Sequence, residues 1–434
     1  MNHLAKVAVI GFGTVGSGVA KLLQEQAPRL ARRMGKQLVL AHVVDSDPKR
    51  LKSDILPPNI LSTTVKPVLE DRETTLAIES LDDPEQAREI VLQLLEHGKD
   101  VVTANKLLLA EHGTELFERA RELGRAISFG AAVAGGVPIV PAIAECLAAN
   151  QIESIHAILN GTCNFILTQM EEHESEYASA LAEAQQRGYA DPNPIMDTGG
   201  HDAAQKLAIL AQVAFGVRVP WRNIPRVGID IVDLMDVHFA KELGYRIKLL
   251  AVAESLPDGL ELHVSPTLVR RGMPLAEVSG VYNAVRIVGS AVGRVFFHGL
   301  GSGQMPIASA VLADAINTIT GRAALTFPTL NLWPVEGETP LRLRDFAESS
   351  SRYYLRLNVE DRPGVIAEIS GILSRHGISI ASVIQHETEE ESSNVVPLVI
   401  MTHVAQEGKM AAAMKLINQL SCVQTKGVRL RVRN

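Results

Sequence analysis

Gly11-Phe12-Gly13-Thr14-Val15-Gly16 constrains the fold of this chain more than any other stretch. It follows Lys6-Val7-Ala8-Val9-Ile10, an apolar run that reads as a buried parallel strand, and opens a helical stretch over about 15–33. Glycines spaced G-x-G-x-x-G between strand and helix bring backbone N–H groups and a helix N-terminus against a dinucleotide pyrophosphate. Gly11 permits the tight turn, Gly13 the approach of phosphate, and Gly16 the packing of helix on strand. Phe12, Thr14 and Val15 complete the candidate cofactor loop. The alternation then repeats: 38–45, 74–80, 99–104 and 125–130 read as strands, with helices at 84–98 and 107–124. That pattern predicts a doubly wound parallel sheet, an α/β Rossmann-type domain over residues 1–137. Asp45 ends the second strand, where a ribose-binding acid belongs and would favour NAD. Lys49 and Arg50 are close enough to accept the extra phosphate of NADP, and Asp45 in "DSDP" also suits a turn-initiating aspartate.

After Pro138 the pattern changes. A near-alternating strand at 152–159, helices at 176–187 and 202–215, and β-like runs at 246–254, 260–269 and 283–293 predict an α+β domain over 138–325. A helix near 306–322 reads as returning to close the first domain. Prolines 328, 334 and 340 and the serines 349–351 mark 326–351 as a linker. The tail, 352–434, reads β-α-β-β-α-β, the ferredoxin-like arrangement. A chain of 434 residues needs more than one core. Its net charge of -7 argues against a nucleic-acid partner. No apolar run is long enough for a membrane span, and three scattered cysteines with no signal layout point to a reducing cytoplasm.

The stretch from Gly188 to Lys206, GYADPNPIMDTGGHDAAQK, is dense in acids. Asp202 and Lys206 are four apart and share a helix face, so a plain i,i+4 ion pair is one reading. Two features favour a site instead. Gly199 and Gly200 bare the backbone just before the helix, and LAILAQVAF makes Lys206 the start of a buried stretch.

Here the sequence resembles a known family. Ala184, Gly188-Tyr189-Ala190, Asn193-Pro194, Asp197, Gly200, Asp202 and Lys206 are similar to the homoserine dehydrogenase signature, with Thr198 where an aliphatic residue is usual. In the family's order come also Val102-Thr103-Ala104-Asn105-Lys106, Gly136-x-Pro138, Asn160-Gly161-Thr162, Glu242-Leu243-Gly244-Tyr245 with Lys248, and Gly301-Ser302-Gly303. The resemblance spans about 5–325, and Asp361-Arg362-Pro363-Gly364-Val365 resembles the opening of an ACT domain.

The resemblance implies reversible, NAD- or NADP-dependent reduction of aspartate 4-semialdehyde to homoserine, a step toward threonine, methionine and isoleucine. It implies Lys206 as proton donor, Lys106 as a second ammonium between cofactor and substrate, and Asp202 orienting Lys206 or binding the substrate amine. Gly161, Thr162, Tyr189, Asp191 and Asp197 would line the substrate pocket, with Thr103 and Gly303 beside the cofactor. Asn105-Lys106 reads equally as a helix N-cap followed by a surface lysine. Backbone carbonyls of Gly130, Val133, Gly135 and Val137 match those that hold a monovalent cation, Na⁺ or K⁺. The ACT-like tail implies an amino-acid effector, threonine, and the chain is expected as a homodimer or homotetramer. Three departures stand at functional places: Ser80-Leu81-Asp82-Asp83 for a pair of glycines, and Gly130 and Asp191 for glutamates. They leave a second reading, a catalytically weak or respecialised paralogue that senses amino acids.

Overall fold

Val7–Ile10 and Leu76–Glu79, apolar nearly throughout, become strands buried on both faces. A computed structural model describes residues 4–51, 56–330, 332, 341–386 and 394–433. The chain divides into two units, 1–152 with 205–221 and 288–340, and 153–204 with 222–287 and 341–434.

In the first unit, β1 (Leu4–Ile10), β2 (Gln37–Val44), β3 (Leu61–Ser62), β4 (Thr74–Glu79), β5 (Asp100–Thr103) and β6 (Ile127–Ser128) form a sheet in the order β3-β2-β1-β4-β5-β6. Every pair is parallel. The order reverses between β1 and β4, which opens a crevice at their carboxyl ends. The helix Thr14–Met34 starts directly after the glycine turn and ends at Gly35 in the left-handed conformation (φ 68°). The returning helix Gln304–Ile319 packs on it, and Val311, Leu312 and Ala315 join Val9, Val19 and Ile78 in one core. That contact is close because Gly18 lacks a Cβ, which would fall 2.6 Å from Gln304 Cγ.

The second unit is built on β7 (Ile152–Ile158), β8 (Tyr245–Leu256), β9 (Gly259–Arg270) and β10 (Tyr282–Gly289). β11 (Gly293–Leu300) follows β10 along the chain after a short turn. The tail supplies β12 (Ser350–Glu360), β13 (Ile380–Gln385), β14 (Val395–Thr402), the short β15 (Ala405–Gln406) and β16 (Val428–Arg433). β16-β12-β14-β13 is the antiparallel ferredoxin-like order. Helices Val365–Arg375 and Glu407–Ile417 cover it through Ile369, Leu373, Met410 and Ile417. β16 also pairs in parallel with β9, Arg431 opposite Thr267, so the tail continues the sheet of β7–β10.

Differences from the sequence reading have local causes. The run 283–293 is not one strand, because Ser290 to Val292 turn the chain; Asn150 Oδ1 accepts from Ala291 and Val292 N–H. The helix Gly161–Glu172 escapes periodicity because Cys163 through Met170 are all buried, which erases the polar stripe. β6 is two residues long, after which the chain tightens into a 3₁₀ turn at Gly130–Ala132. Ser350 and Ser351 open β12, and Leu260 N–H pairs with Arg342 O. Within the expected linker, residue 331 and residues 333–340 lie outside the described residues.

The helix Leu234–Glu242 is fastened to β12 by charge. Arg356 donates to Asp236 Oδ1 at 2.7 Å and to Asp233, and Tyr354 donates to Asp236 at 3.0 Å. Asp236 is fully buried, so removing its cation strands a carboxylate in a dry environment. Arg356→Met is expected to cost about 3–5 kcal/mol in urea unfolding. A loss below about 1 kcal/mol, the range of an exposed pair, would show that the contact is solvated.

Candidate active site

The first unit brings its candidate cofactor residues to the carboxyl ends of β1, β2, β4 and β5. Gly11 has φ 89°, and a Cβ there would lie 2.5 Å from Ser80 O. A Cβ on Gly16 would lie 2.0 Å from Gly11 O, so only glycine allows this helix to start where it does. The missing Cβ of Gly13 meets only the Arg50 guanidinium, at 3.6 Å, leaving the loop backbone open. No acidic side chain occupies the first helical turn, so its positive end is not neutralised. This cradle of bare backbone and free helix end fits a dinucleotide pyrophosphate, and Thr14 and Val15 form its first helical positions.

Asp45 does more than end β2. Its Oδ2 accepts from Phe12 N–H at 2.7 Å and its Oδ1 from Asp47 N–H at 2.9 Å. It therefore locks the glycine turn and forms the expected aspartate turn as well. Arg50 approaches Asp45 Oδ2 to 3.7 Å.

The Ser80-to-Asp83 departure is built into local structure. Ser80 Oγ donates to Gly11 O at 2.8 Å. Asp83 caps the helix Pro84–Glu96, accepting from Glu85 and Gln86 N–H. Asp82 is exposed, 4.0 Å from Arg50.

Sequence reasoning passed over Glu79, the last residue of β4. It is 0% exposed; Oε2 accepts from Thr103 Oγ1 at 2.6 Å and Oε1 from Leu81 N–H at 2.7 Å. Thr103 Oγ1 in turn accepts from Asn105 N–H, and Asn105 donates to Leu81 O. Asn105 Oδ1 caps the helix Lys106–Glu122, so the N-cap reading holds and Lys106, part-buried, is its first residue. Burial pushes the Glu79 carboxyl up to about 7 despite these bonds. The signal was present: an acid ending an otherwise apolar strand at the point where strand order reverses.

The loop named for a cation runs from the 3₁₀ turn through Ala134 (φ 55°) and Gly135 (φ 41°). Gly130, Val133, Gly135 and Val137 are all buried in it. A Cβ on Gly135 would meet Gly301 O at 2.6 Å, and Gly136 N–H donates to Leu300 O. The loop is thus pinned to the turn ending at Gly303, the N-cap of Gln304–Ile319. Gly130 is glycine for a visible reason: a Cβ would fall 2.9 Å from Asp314 Oδ1. Asp314 Oδ2 accepts from Ala131 N–H, and burial raises its carboxyl to about 7.

In the second unit Asn160 is the organising residue. Its Oδ1 caps the helix Gly161–Glu172 by accepting from Cys163 N–H, and its Nδ2 donates to Asp197 at 2.8 Å and Asp202 at 2.9 Å. One amide thus joins two candidate carboxylates. Thr162 donates to Tyr189 O at 2.6 Å, and the 42% exposed Tyr189 ring stands edge-on to Phe165. Asp191 is exposed, its carbonyl held by Gln185, and its carboxylate makes none of the contacts that join Asp197 to Asp202. Asp202, 7% exposed, opens the helix His201–Phe215, and Lys206, part-buried, follows one turn later.

A Cβ on Gly200 (φ 78°) would lie 3.2 Å from Val264 Cγ1 and one on Gly161 2.5 Å from Val281 O, so the protein's own packing also calls for glycine at both. Thr198 departs without leaving a hydroxyl bare, since it bonds Pro194 O and Tyr177. Lys248, in the expected motif, is buried beneath this region and donates to Val278 O and Asn164 Oδ1; burial lowers its ammonium to about 8.

A family profile described as homoserine dehydrogenase matches 138–316, and its NAD-binding-domain companion matches 11–130. An ACT domain profile matches 353–422. The chain is 40% identical to a homoserine dehydrogenase of Pseudomonas aeruginosa over 98% of each chain, and 38% identical to one of Neisseria gonorrhoeae over 96% of each. Its structure is similar to a homoserine dehydrogenase from Thiobacillus denitrificans, with TM-score 0.91, 37% identity and coverage of 99% and 98%. A hyperthermophilic archaeal homoserine dehydrogenase in complex with NADPH aligns over 73% of this chain and 98% of its own, with TM-score 0.61 and 26% identity.

Glu79 gives a pH signature with a definite sign. Its carboxyl holds a proton more tightly folded (about 7) than at the ordinary 4.5. Its contribution is full below 4.5 and is lost as pH rises through about 7. Glu79→Gln, which never ionises, should show a shallower decline of unfolding free energy across that window. An unchanged slope would mean Glu79 ionises freely.

Proposed function

The chain belongs to the homoserine dehydrogenase family, and from that premise we propose which of its residues carry the reduction of L-aspartate 4-semialdehyde to L-homoserine. A nicotinamide cofactor supplies the hydride to the aldehyde carbon when bound. The carbonyl oxygen gathers negative charge and needs a proton and a nearby cation. We assign proton delivery to Lys206, with Asp202 orienting that ammonium from one turn earlier on the same helix. Asp197, joined to Asp202 through Asn160, adds negative charge suited to the substrate's ammonium, with Gly161, Thr162, Tyr189 and Asp191 as further substrate contacts. Lys106, fixed by the Asn105 cap and the Glu79–Thr103 bonds, supplies the second positive charge. The observation that supports this reading most is the Asn160 amide binding both carboxylates. No finding favours a non-catalytic paralogue, and the Ser80-to-Asp83 stretch that suggested one is a cap and a turn contact.

For the cofactor we propose Gly11 to Gly16, Asp45, Thr103, Lys106 and Gly303 as the binding set, with NADP accepted as well as NAD. Both Asp45 oxygens are committed to backbone N–H groups and Arg50 stands beside them, so repulsion of a 2′-phosphate is muted and a partner for it is at hand. A monovalent cation on the carbonyls of Gly130, Val133, Gly135 and Val137 is proposed to stiffen that loop. The ACT domain is proposed to bind an amino-acid effector, threonine, and copies to associate through exposed sheet edges such as β13.

Lys206→Ala should lower kcat for homoserine oxidation by about 10²–10⁴-fold with the circular dichroism spectrum kept. An unaltered rate would remove Lys206 from the mechanism. Arg50→Ala should raise KM for NADP about ten-fold while leaving KM for NAD within two-fold, from the loss of one charge-assisted bond. Equal effects on both coenzymes would contradict the phosphate role.

A further inference from the structure

Asp314 is a buried carboxylate with no counter-charge beside it. It sits on the returning helix Gln304–Ile319 and is 8% exposed. The charged side chain that acts on it most is Glu145, of like sign. A small cavity of about 50 Å³ adjoins it, with Phe129, Val140 and Phe327 on its apolar wall. Among the described residues, no lysine, arginine or histidine lines that cavity. Buried charges are paired or bind metal, so this one calls for a cation close by.

What Asp314 does hold is backbone. Its Oδ2 accepts from Ala131 N–H at 3.3 Å, and Gly130 N–H bonds the same carboxylate. In a planar trans peptide, the N–H of one residue points opposite to the C=O of the residue before it. By holding Ala131 N–H, Asp314 turns the Gly130 carbonyl away from the returning helix. Leu300 O does the same for the Gly135 carbonyl, accepting from Gly136 N–H at 3.0 Å. Two of the four carbonyls named for a cation are thus aimed by partners more than 160 residues later in the chain. Carbonyl oxygens suit Na⁺ or K⁺, but they bring no negative charge of their own.

Position 130 shows where that charge comes from. Glutamate is usual in the family where this chain has Gly130. The three atoms nearest a Cβ there are Asp314 Oδ1, Oδ2 and Cγ, at 2.9, 3.2 and 3.4 Å. Gly130 is not among the glycines with positive φ, so the Asp314 carboxylate, and not the backbone, bars a side chain at this position. We propose that Asp314 is the positioning residue of this loop: it keeps the Gly130 carbonyl turned from the helix as a cation ligand, and it balances the cation's charge in place of the side chain that Gly130 lacks. The inference rests on the reading that the loop binds Na⁺ or K⁺.

The test is a thallium NMR titration of the full chain with Tl⁺, a K⁺ mimic, displaced by K⁺ and by Na⁺, which reads affinity without turnover. Asp314→Asn keeps the shape and loses the charge, and should weaken binding about ten-fold with the circular dichroism spectrum kept. Asp314→Ala also releases Ala131 N–H and should weaken it at least as much. Gly130→Glu in the Asp314→Ala background, where the clash is gone, should restore affinity to within about three-fold of the unaltered chain. Affinities of Asp314→Asn and Asp314→Ala within about two-fold of the unaltered chain would overturn the assignment while the cation reading stands. Loss in both with no recovery through Gly130→Glu would make Asp314 a packing residue and overturn it as well. If the unaltered chain binds no Tl⁺, the cation reading itself fails and the proposal with it.

Discussion

Close approach between Gly11 and Gly16 sets the rest of the first unit. With a would-be Cβ only 2.0 Å from a carbonyl oxygen, the helix can begin there only on glycine, and its bare N-terminus faces the crevice between β1 and β4. Phe12 N–H then binds Asp45, which fixes the end of β2, and Gly11 O receives Ser80, which fixes the end of β4. From Ser80 the order passes through Glu79 to Thr103 and Asn105, and so to Lys106. Four strand ends and one candidate catalytic lysine are thus tied by short polar links that begin at one turn.

The second unit solves a different problem, the burial of charge in a long sheet. Asp236 is paid for by Arg356 and Tyr354, and Glu407 by Arg431, Arg429 and Tyr353. Such pairs stabilise little against hydrophobic isosteres, but a slipped register leaves each of them unpaired. They suit a sheet in which β16 must find β9 across more than 150 residues of chain, since no hairpin geometry dictates that pairing.

Much of this was legible in the sequence. The parallel domain follows from strands buried on both faces and from glycine spacing, both local properties. The ferredoxin-like tail follows from alternation of 2 and 3.6 periods, and the Asp202–Lys206 face from helix spacing alone. What stayed hidden depends on partners distant in sequence. Nothing near Glu79 announces Thr103, and nothing near Gly130 announces Asp314, yet each pair explains why its residue is what it is. The helix Gly161–Glu172 was missed because Cys163 to Met170 are all buried and periodicity needs a polar face. Gly199 and Gly200 read as backbone bared for a ligand, and nothing near them in sequence announces Val264, whose Cγ1 would lie 3.2 Å from a Cβ on Gly200; a bare backbone in a sequence does not say what comes near it.

The most direct measurement follows the hydride itself. Homoserine deuterated at C4, incubated with the purified chain and oxidised NADP, should yield NADPH with one deuterium at nicotinamide C4, read by NMR, and aspartate 4-semialdehyde. Recovery of fully labelled homoserine with no reduced cofactor, from a folded chain that binds NADP, would contradict hydride transfer by this protein.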